Sequence, residues 1–324
     1  MLAQTTFKSR PYADDNDLPA IVELNNLTFA ADGVSEVLTL DGMRMWVNRP
    51  ERNPTRDGRL WEDANGRLVG YAHITIPKGG DDIDGFFVIL VHPEARGTGI
   101  ETEIIEWGTE RLREDAQEQG KPAKLGSGVF ENEDYYRRVL EQHGFEIVRY
   151  FFKMERPLNE PIPEPSLPEG FTIRHMDPND EDMVARWVEM FNLSFIDHWG
   201  FHPATVENRK HRMSWKFYNP ERDLIAVAPD GTLAAFCTCS VDPEENEQNN
   251  RSEGWIAVLG TRRGFRKIGL GRAMLLAGLQ VLKEAGVQMG VLGVDAENPT
   301  GALRLYESVG FTRAKTEVAY EKKV

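Results

Sequence analysis

This chain is written twice. The segment FKSRPYADDNDLPAIVELNNLTF, from Phe7, returns as FTIRHMDPNDEDMVARWVEMFNLSF from Phe171, an offset of 164 residues. VHPEARGTG and TRRGFRKIG then align Arg96 with Arg266 at an offset of 170, and LEQHGF and YESVGF align Gly144 with Gly310 at 166. Three matches in the same order at nearly constant spacing mark a duplicated domain. Length agrees: 324 residues are too many for one hydrophobic core and suit two domains of roughly 150. Between the copies, RPLNEPIPEPSLPEG carries five prolines, too many for a helix or a central strand. The expected organisation is residues 1–155, an extended proline-rich linker at 156–170, and residues 171–324.

Each copy reads as strand, helical region, strands, a glycine turn, helix, strand, helix, strand, which is a mixed α/β (α+β) domain made twice. In the second copy, RAMLLAGLQVLKEAG puts Met274, Leu275, Leu279 and Leu282 at helical spacing and stops at Gly286, as a C-terminal glycine would. Cys237 and Cys239 sit one residue apart in LAAFCTCS, a strand on which both thiols share a face. They are expected to be buried structural thiols, with no disulfide and no zinc.

The chain contains no apolar run near the roughly 20 residues that span a bilayer, so no membrane partner is expected. The opening MLAQTTFKSRPYADDND lacks a basic-then-apolar leader, and the expected location is the cytoplasm. A net charge of −14 argues against phosphate-driven binding of nucleic acid. Against that background TRRGFRKIGLGR is an exception, gathering Arg262, Arg263, Arg266, Lys267 and Arg272 within eleven residues. Cations concentrated at one loop of an acidic chain point to an anionic ligand.

The loop follows a strand and runs directly into a helix. Its glycines, Gly269 and Gly271, let the backbone adopt positive φ and pass close to a ligand. The unpaired N–H groups of the helix's first turn face outward with the positive end of the dipole. A diphosphate fits this arrangement. An ordinary strand-to-helix turn with surface cations has the same local pattern, so the loop is read together with VDAENPTGALRLYESVGF about thirty residues on. There Asn298 and Pro299 have the chemistry of a helix start, with Asn capping and Pro in the first turn.

The order R-x-x-G-x-G-R-A from Arg266 to Ala273, followed by N-P-x-x-A-x-x-x-Y-E-x-x-G-F from Asn298 to Phe311, resembles the GNAT family of N-acetyltransferases. The tandem layout, with FNLSFIDHWGFHP at 191–203, is similar to the mycothiol synthase group within it. That resemblance implies two tandem acyl-CoA N-acyltransferase domains using acetyl-coenzyme A as cosubstrate, with no metal. It implies that the backbone of Arg266, Lys267, Ile268, Gly269, Leu270 and Gly271 holds the pyrophosphate, with Arg272 adding charge. Leu259, Gly260 and Thr261 would pair with the pantetheine arm like an added strand, and Asn298 would hydrogen-bond it. Tyr306 would protonate the departing thiolate. The acidic base that family members often carry on the preceding strand would fall at Ala257 or Val258, and in the mycothiol group at Trp255, so Glu253 is the nearest carboxylate candidate. A water chain or His198 is the alternative base. Asp197, His198 and Trp199 would border the acceptor, expected to be a small-molecule amine. A cysteinyl pseudodisaccharide acceptor and a noncatalytic acetyl-coenzyme A-binding module are the rival readings.

The first copy departs from this pattern. Its loop, Arg96-Gly97-Thr98-Gly99-Ile100-Glu101, places a carboxylate opposite Gly271, with Glu103 and Glu106 following, and Leu140 aligns with Tyr306. Like charge repels a diphosphate. The first domain is therefore expected to be silent, and the chain to be a monomer whose two copies already supply the pairing such domains seek.

Overall fold

The structure is a computed structural model that describes residues 7–80 and 82–324; the first six residues of the opening segment lie outside it. The chain divides into two units, residues 1–150 with 317–324, and residues 151–316.

In the first unit the strands are β1 (Lys8–Pro11), β2 (Gly58–Glu62), β3 (Leu68–Thr75), β4 (Ile83–Val91), β5 (Ala123–Phe130) and the end of the long final strand β12 (Thr312–Lys323), in the order β1-β2-β3-β4-β5-β12. Every neighbouring pair is antiparallel except β4 and β5. Parallel neighbours need a crossover, supplied by α4 (Ile100–Gln119). That helix is bounded by Gly99 and Gly120, both with positive φ (99° and 62°), and buries Ile100, Ile104, Ile105 and Leu112 against the sheet. Helices α1 (Leu18–Ala31), α2 (Leu40–Val47), α3 (Pro54–Asp57) and α5 (Asp134–Gln142) complete the unit. Leu18, Ile21 and Leu24 of α1 form a further core with Met43, Leu60 and Tyr71.

The second unit repeats the plan. Its strands are β6 (Glu146–Pro157, from Phe151 on), β7 (Thr172–His175), β8 (Asp223–Val227), β9 (Leu233–Ser240), β10 (Glu253–Thr261) and β11 (Met289–Asp295), in the order β7-β8-β9-β10-β11-β6. Again one pair, β10 and β11, is parallel. Its crossover is α9 (Leu270–Glu284), whose Met274, Leu275, Leu279 and Leu282 are fully buried, with Gly286 beyond its end at φ 83°. The other helices are α6 (Glu181–Phe195), α7 (Val206–Met213), α8 (Pro243–Gln248) and α10 (Ala302–Glu307). Cys237 and Cys239 are free, buried and 3.8 Å apart on the face of β9 that meets α9. A Cβ at Gly278 of α9 would lie 2.5 Å from the Cys237 sulfur, so glycine is what allows the helix to sit this close.

Two features differ from the local sequence reading. The partition falls after Tyr150, and the chain's last strand closes the first unit instead of finishing the second. Residues 151–157 pair along β11, and the proline-rich stretch after them packs Leu158, Ile162 and Leu167 against the second unit's core. Arg156, buried, ties that stretch down by donating to the carbonyls of Val309 (2.6 Å) and Pro161 (2.8 Å). Prolines exclude a ladder but leave the intervening apolar side chains free to pack.

The second difference is the start of α10. Asn298 and Pro299 precede the helix by several residues. The Asn298 side chain accepts from the Thr300 amide (2.9 Å) in a tight turn, and Gly301, at φ 78°, is the N-cap. Asparagine's competition for local backbone N–H groups favours the turn over the cap.

Candidate active site

The parallel pair β10–β11 opens into a cleft. The two strands pair only from Glu253 to Trp255 against Met289 to Val291; beyond that, β11 continues its ladder with β6 while β10 keeps only β9. A register shift between Ile256 and Val258 leaves Ala257 as an extra residue, a bulge that turns the strand away. Leu259, Gly260 and Thr261 pair with Cys237, Phe236 and Ala235, and their other edge faces the cleft. Gly260 is required here, because a Cβ would stand 2.4 Å from the Phe236 ring.

At the end of β10 the chain turns through residues 262–269 into α9. Three residues of the turn have positive φ, Gly264 at 92°, Lys267 at 64° and Gly269 at 87°. A lysine in that region is unusual and is held there by the surrounding turn. No side chain caps α9, and among the described residues no group accepts from the Lys267 amide. Unsatisfied N–H groups, the helix dipole and exposed Lys267 thus converge on one spot, which suits an anion. These residues fit the diphosphate of an acyl-coenzyme A. The arginine side chains serve a different purpose. Arg266 donates to the carbonyls of Thr261 (3.1 Å) and Ser194 (2.8 Å) and to Asp197 (3.0 Å), so it shapes the loop from within. Arg272 donates to the Ser308 hydroxyl (2.7 Å) and joins the start of α9 to the end of α10.

Tyr306 lies on α10, 8% exposed, with its ring 6.1 Å from Phe311. Burial, with the nearby Cys237 thiol, raises its pKa well above that of an ordinary phenol, so it stays protonated at any working pH. Leu140 occupies the equivalent position in the first unit: the Phe145 amide bonds the Leu140 carbonyl and the Phe311 amide the Tyr306 carbonyl, both at 3.1 Å.

The remaining candidates fall at two places. Glu253 begins β10, on the stretch still paired with β11 and four residues, about 13 Å of strand, from the bulge. Its carboxylate faces Lys153 (3.4 Å) and Arg251 (3.7 Å), beside a cavity of about 10 Å³. Lys153 also stands 5.2 Å from the Trp255 ring centre. Asp197, His198 and Trp199 follow α6. Asp197 pairs with Arg263 and Arg266, which hold its carboxyl at about 2, well below the usual range. His198 packs on Phe195 (ring centres 4.4 Å). Burial lowers its pKa, while the charge of Asp295 at the end of β11 opposes that shift, so its imidazole is neutral at neutral pH. Trp199 is 40% exposed and 5.9 Å from Phe151. Lys153, Phe151 and Asp295 escape a sequence reading because nothing local marks them.

Residues 184–311 match the acetyltransferase (GNAT) family. A mycothiol acetyltransferase of Salinispora tropica is 31% identical over 315 residues, covering 95% of each chain. The crystal structure of a GCN5-related N-acetyltransferase from Sphaerobacter thermophilus is 26% identical and superposes with a TM-score of 0.74, covering 98% of this chain and 95% of that one. A tandem GNAT protein from the clavulanic acid biosynthesis pathway, at 17% identity, shares the fold with a TM-score of 0.71 over 98% of both. With a cleft, a bulged strand and an uncapped helix start in the places such an enzyme needs them, the chain belongs to the GNAT family of N-acetyltransferases.

Proposed function

We propose that the second unit transfers the acetyl group of acetyl-coenzyme A to the primary amine of a small molecule by direct attack, and that the first unit is catalytically silent. The observation that carries this reading is the contrast between two copies of one loop. Positive φ recurs at matching places, Gly97 (74°) with Lys267 (64°) and Gly99 (99°) with Gly269 (87°). In the first unit, however, the Glu101 carboxylate sits where the second has Gly271 and accepts from the Gly97 amide and the Tyr135 hydroxyl, both at 2.6 Å. Arg96 is neutralised by Asp32 through two 2.7 Å bonds, and the Val91 amide is taken by the Tyr136 hydroxyl at 3.0 Å. An anion cradle filled by the chain's own carboxylate has no room for a diphosphate. The second unit's cradle is open.

Bound acetyl-coenzyme A supplies the thioester carbonyl as the electrophile. The loop amides of Arg266 through Gly271 hold the diphosphate, and the cleft edge of Leu259 to Thr261, with Asn298, aligns the arm. The backbone beside the bulge at Ala257 stabilises the developing oxyanion. Tyr306 gives its proton to sulfur.

Of the two bases, His198 suits the task better: it is neutral, half-buried and near the open end of the cleft, whereas Glu253 is held by two cations. His198→Gln should lower kcat/KM at least tenfold at pH 7 and abolish the rise in rate below pH 6.5, where wild-type His198 loses its proton. Glu253→Gln should change it less than threefold. A larger effect for Glu253 would reverse the assignment.

The relative's name favours one particular acceptor, the cysteinyl pseudodisaccharide amine, because similarity extends over nearly the whole chain. Trp255 beside Lys153 stands where the mycothiol group carries a glutamate, which favours a different small amine. Incubation of the protein with acetyl-labelled acetyl-coenzyme A and a panel of amines that includes that pseudodisaccharide tests both. Transfer to a small amine is expected; binding of the cosubstrate with transfer to none would make the protein a noncatalytic binding module.

A further inference from the structure

The first unit contains a cavity of about 350 Å³ that acetyl transfer does not use. Ile83, at the start of β4, and Gln119, at the end of α4, both line it. The Arg96–Gly99 loop joins the other ends of these two elements, so the cavity lies at the opposite end of the unit, roughly 30 Å of strand or helix away. Of its nine charged lining residues, Glu51 and Asp82 among them, four pair with one another. Arg111 pairs with Asp57 and Asp115, each at 2.7 Å, and Arg56 pairs with Asp115 at 3.0 Å.

Arg52 is different. It lines the cavity, yet among the described residues no carboxylate forms an ion pair with it. Its guanidinium lies 3.0 Å from the Trp46 ring centre, and its Nε is buried without a hydrogen-bond partner. Nearby stand other unsatisfied groups, both ring nitrogens of His73, whose ring meets Trp46 edge-on at 3.6 Å, and the hydroxyl of Thr75 on the same face of β3. Burial, together with the charge of Arg49, pushes the Arg52 guanidinium down to about 9, and Glu51 and Asp57 only partly oppose that shift. A half-buried cation without an ion pair, with only the more distant charges of Glu51 and Asp57 to answer it, is costly, and buried polar atoms without partners are rare. An acidic unit that leaves such a group facing a cavity has the form of a site awaiting an anion.

We infer that this cavity binds a small oxyanion, the carboxylate or phosphate group of a small molecule, with Arg52 as its fork-shaped anchor and exposed Lys78 at the mouth. The ligand supplies the missing ion-pair partner, and the Trp46 ring, 3.0 Å from the guanidinium carbon, holds the anchor in place.

The test is calorimetric titration of succinate and, separately, inorganic phosphate into the full-length protein at low ionic strength. Gly271→Glu serves as a control that blocks the loop before α9. Saturable binding of at least one probe is expected in wild type and in Gly271→Glu, weakened at least fivefold in Arg52→Gln. The probe that binds tells carboxylate from phosphate. Should Arg52→Gln fail to fold, Lys78→Ala decides, with a loss of at least threefold expected. Absence of saturable binding by both probes, or smaller losses in the deciding variant, overturns the inference.

Discussion

Tyr306→Phe should lower kcat by about two to four orders of magnitude, the usual worth of a general acid, while leaving the affinity for coenzyme A within twofold. The substitution removes one oxygen from a buried ring, so packing against Phe311 is retained and the change is confined to the proton. The raised pKa has a definite sign: the phenol is protonated across the whole range in which an amine is nucleophilic, and in the proposed mechanism the base that takes its proton is the departing thiolate. Wild-type rates should therefore show no falling limb up to pH 9 that belongs to Tyr306. Steady-state rates and calorimetric dissociation constants for the two proteins check this. A large loss of affinity with unchanged turnover would move Tyr306 out of the chemistry and into binding.

Gly271→Glu should weaken binding of coenzyme A by a factor of about a thousand. The reasoning comes from the first unit, where Glu101 at the matching position reaches back to the Gly97 amide. A glutamate at 271 has the same route to the Lys267 amide, whose neighbouring backbone angles match. Two like charges about 4 Å apart at an effective dielectric near 20 repel by about 4 kcal/mol, which converts to roughly that factor. The fold should tolerate the change: a Cβ at Gly271 meets only the Thr261 hydroxyl at 3.3 Å and the end of Leu305 at 3.9 Å. An unchanged melting temperature with lost coenzyme binding is the expected pair of results. Retained affinity would show that the loop is not where the diphosphate sits.

The two variants probe features of unequal legibility. The turn at 262–269 and the helix after it follow from adjacent residues: glycines for positive φ, an uncapped helix start, a burst of cations. Lys267 is the exception, because its positive φ is imposed by the turn and not suggested by the residue. The arginines were readable as charge but not as destination. Arg266 and Arg263 spend theirs on Asp197, 69 and 66 residues away in the chain, so the acceptor role expected of Asp197 meets a carboxylate already in use.

Local sequence determined the duplicated plan, the helix after each glycine turn, the cluster of cations in the second turn and the residues on which the first copy departs from the second, since each rests on backbone preferences and side-chain periodicity within a few turns of chain. Tertiary structure alone decided that the last strand closes the first unit, that Lys153 meets Glu253 from a hundred residues away, and that Arg52 lies half-buried against Trp46 without an ion-paired carboxylate. Those outcomes depend on which distant groups packing brings within a few ångströms, and on the large cost of charge left unpaired in low dielectric, neither of which is written in any short stretch of residues.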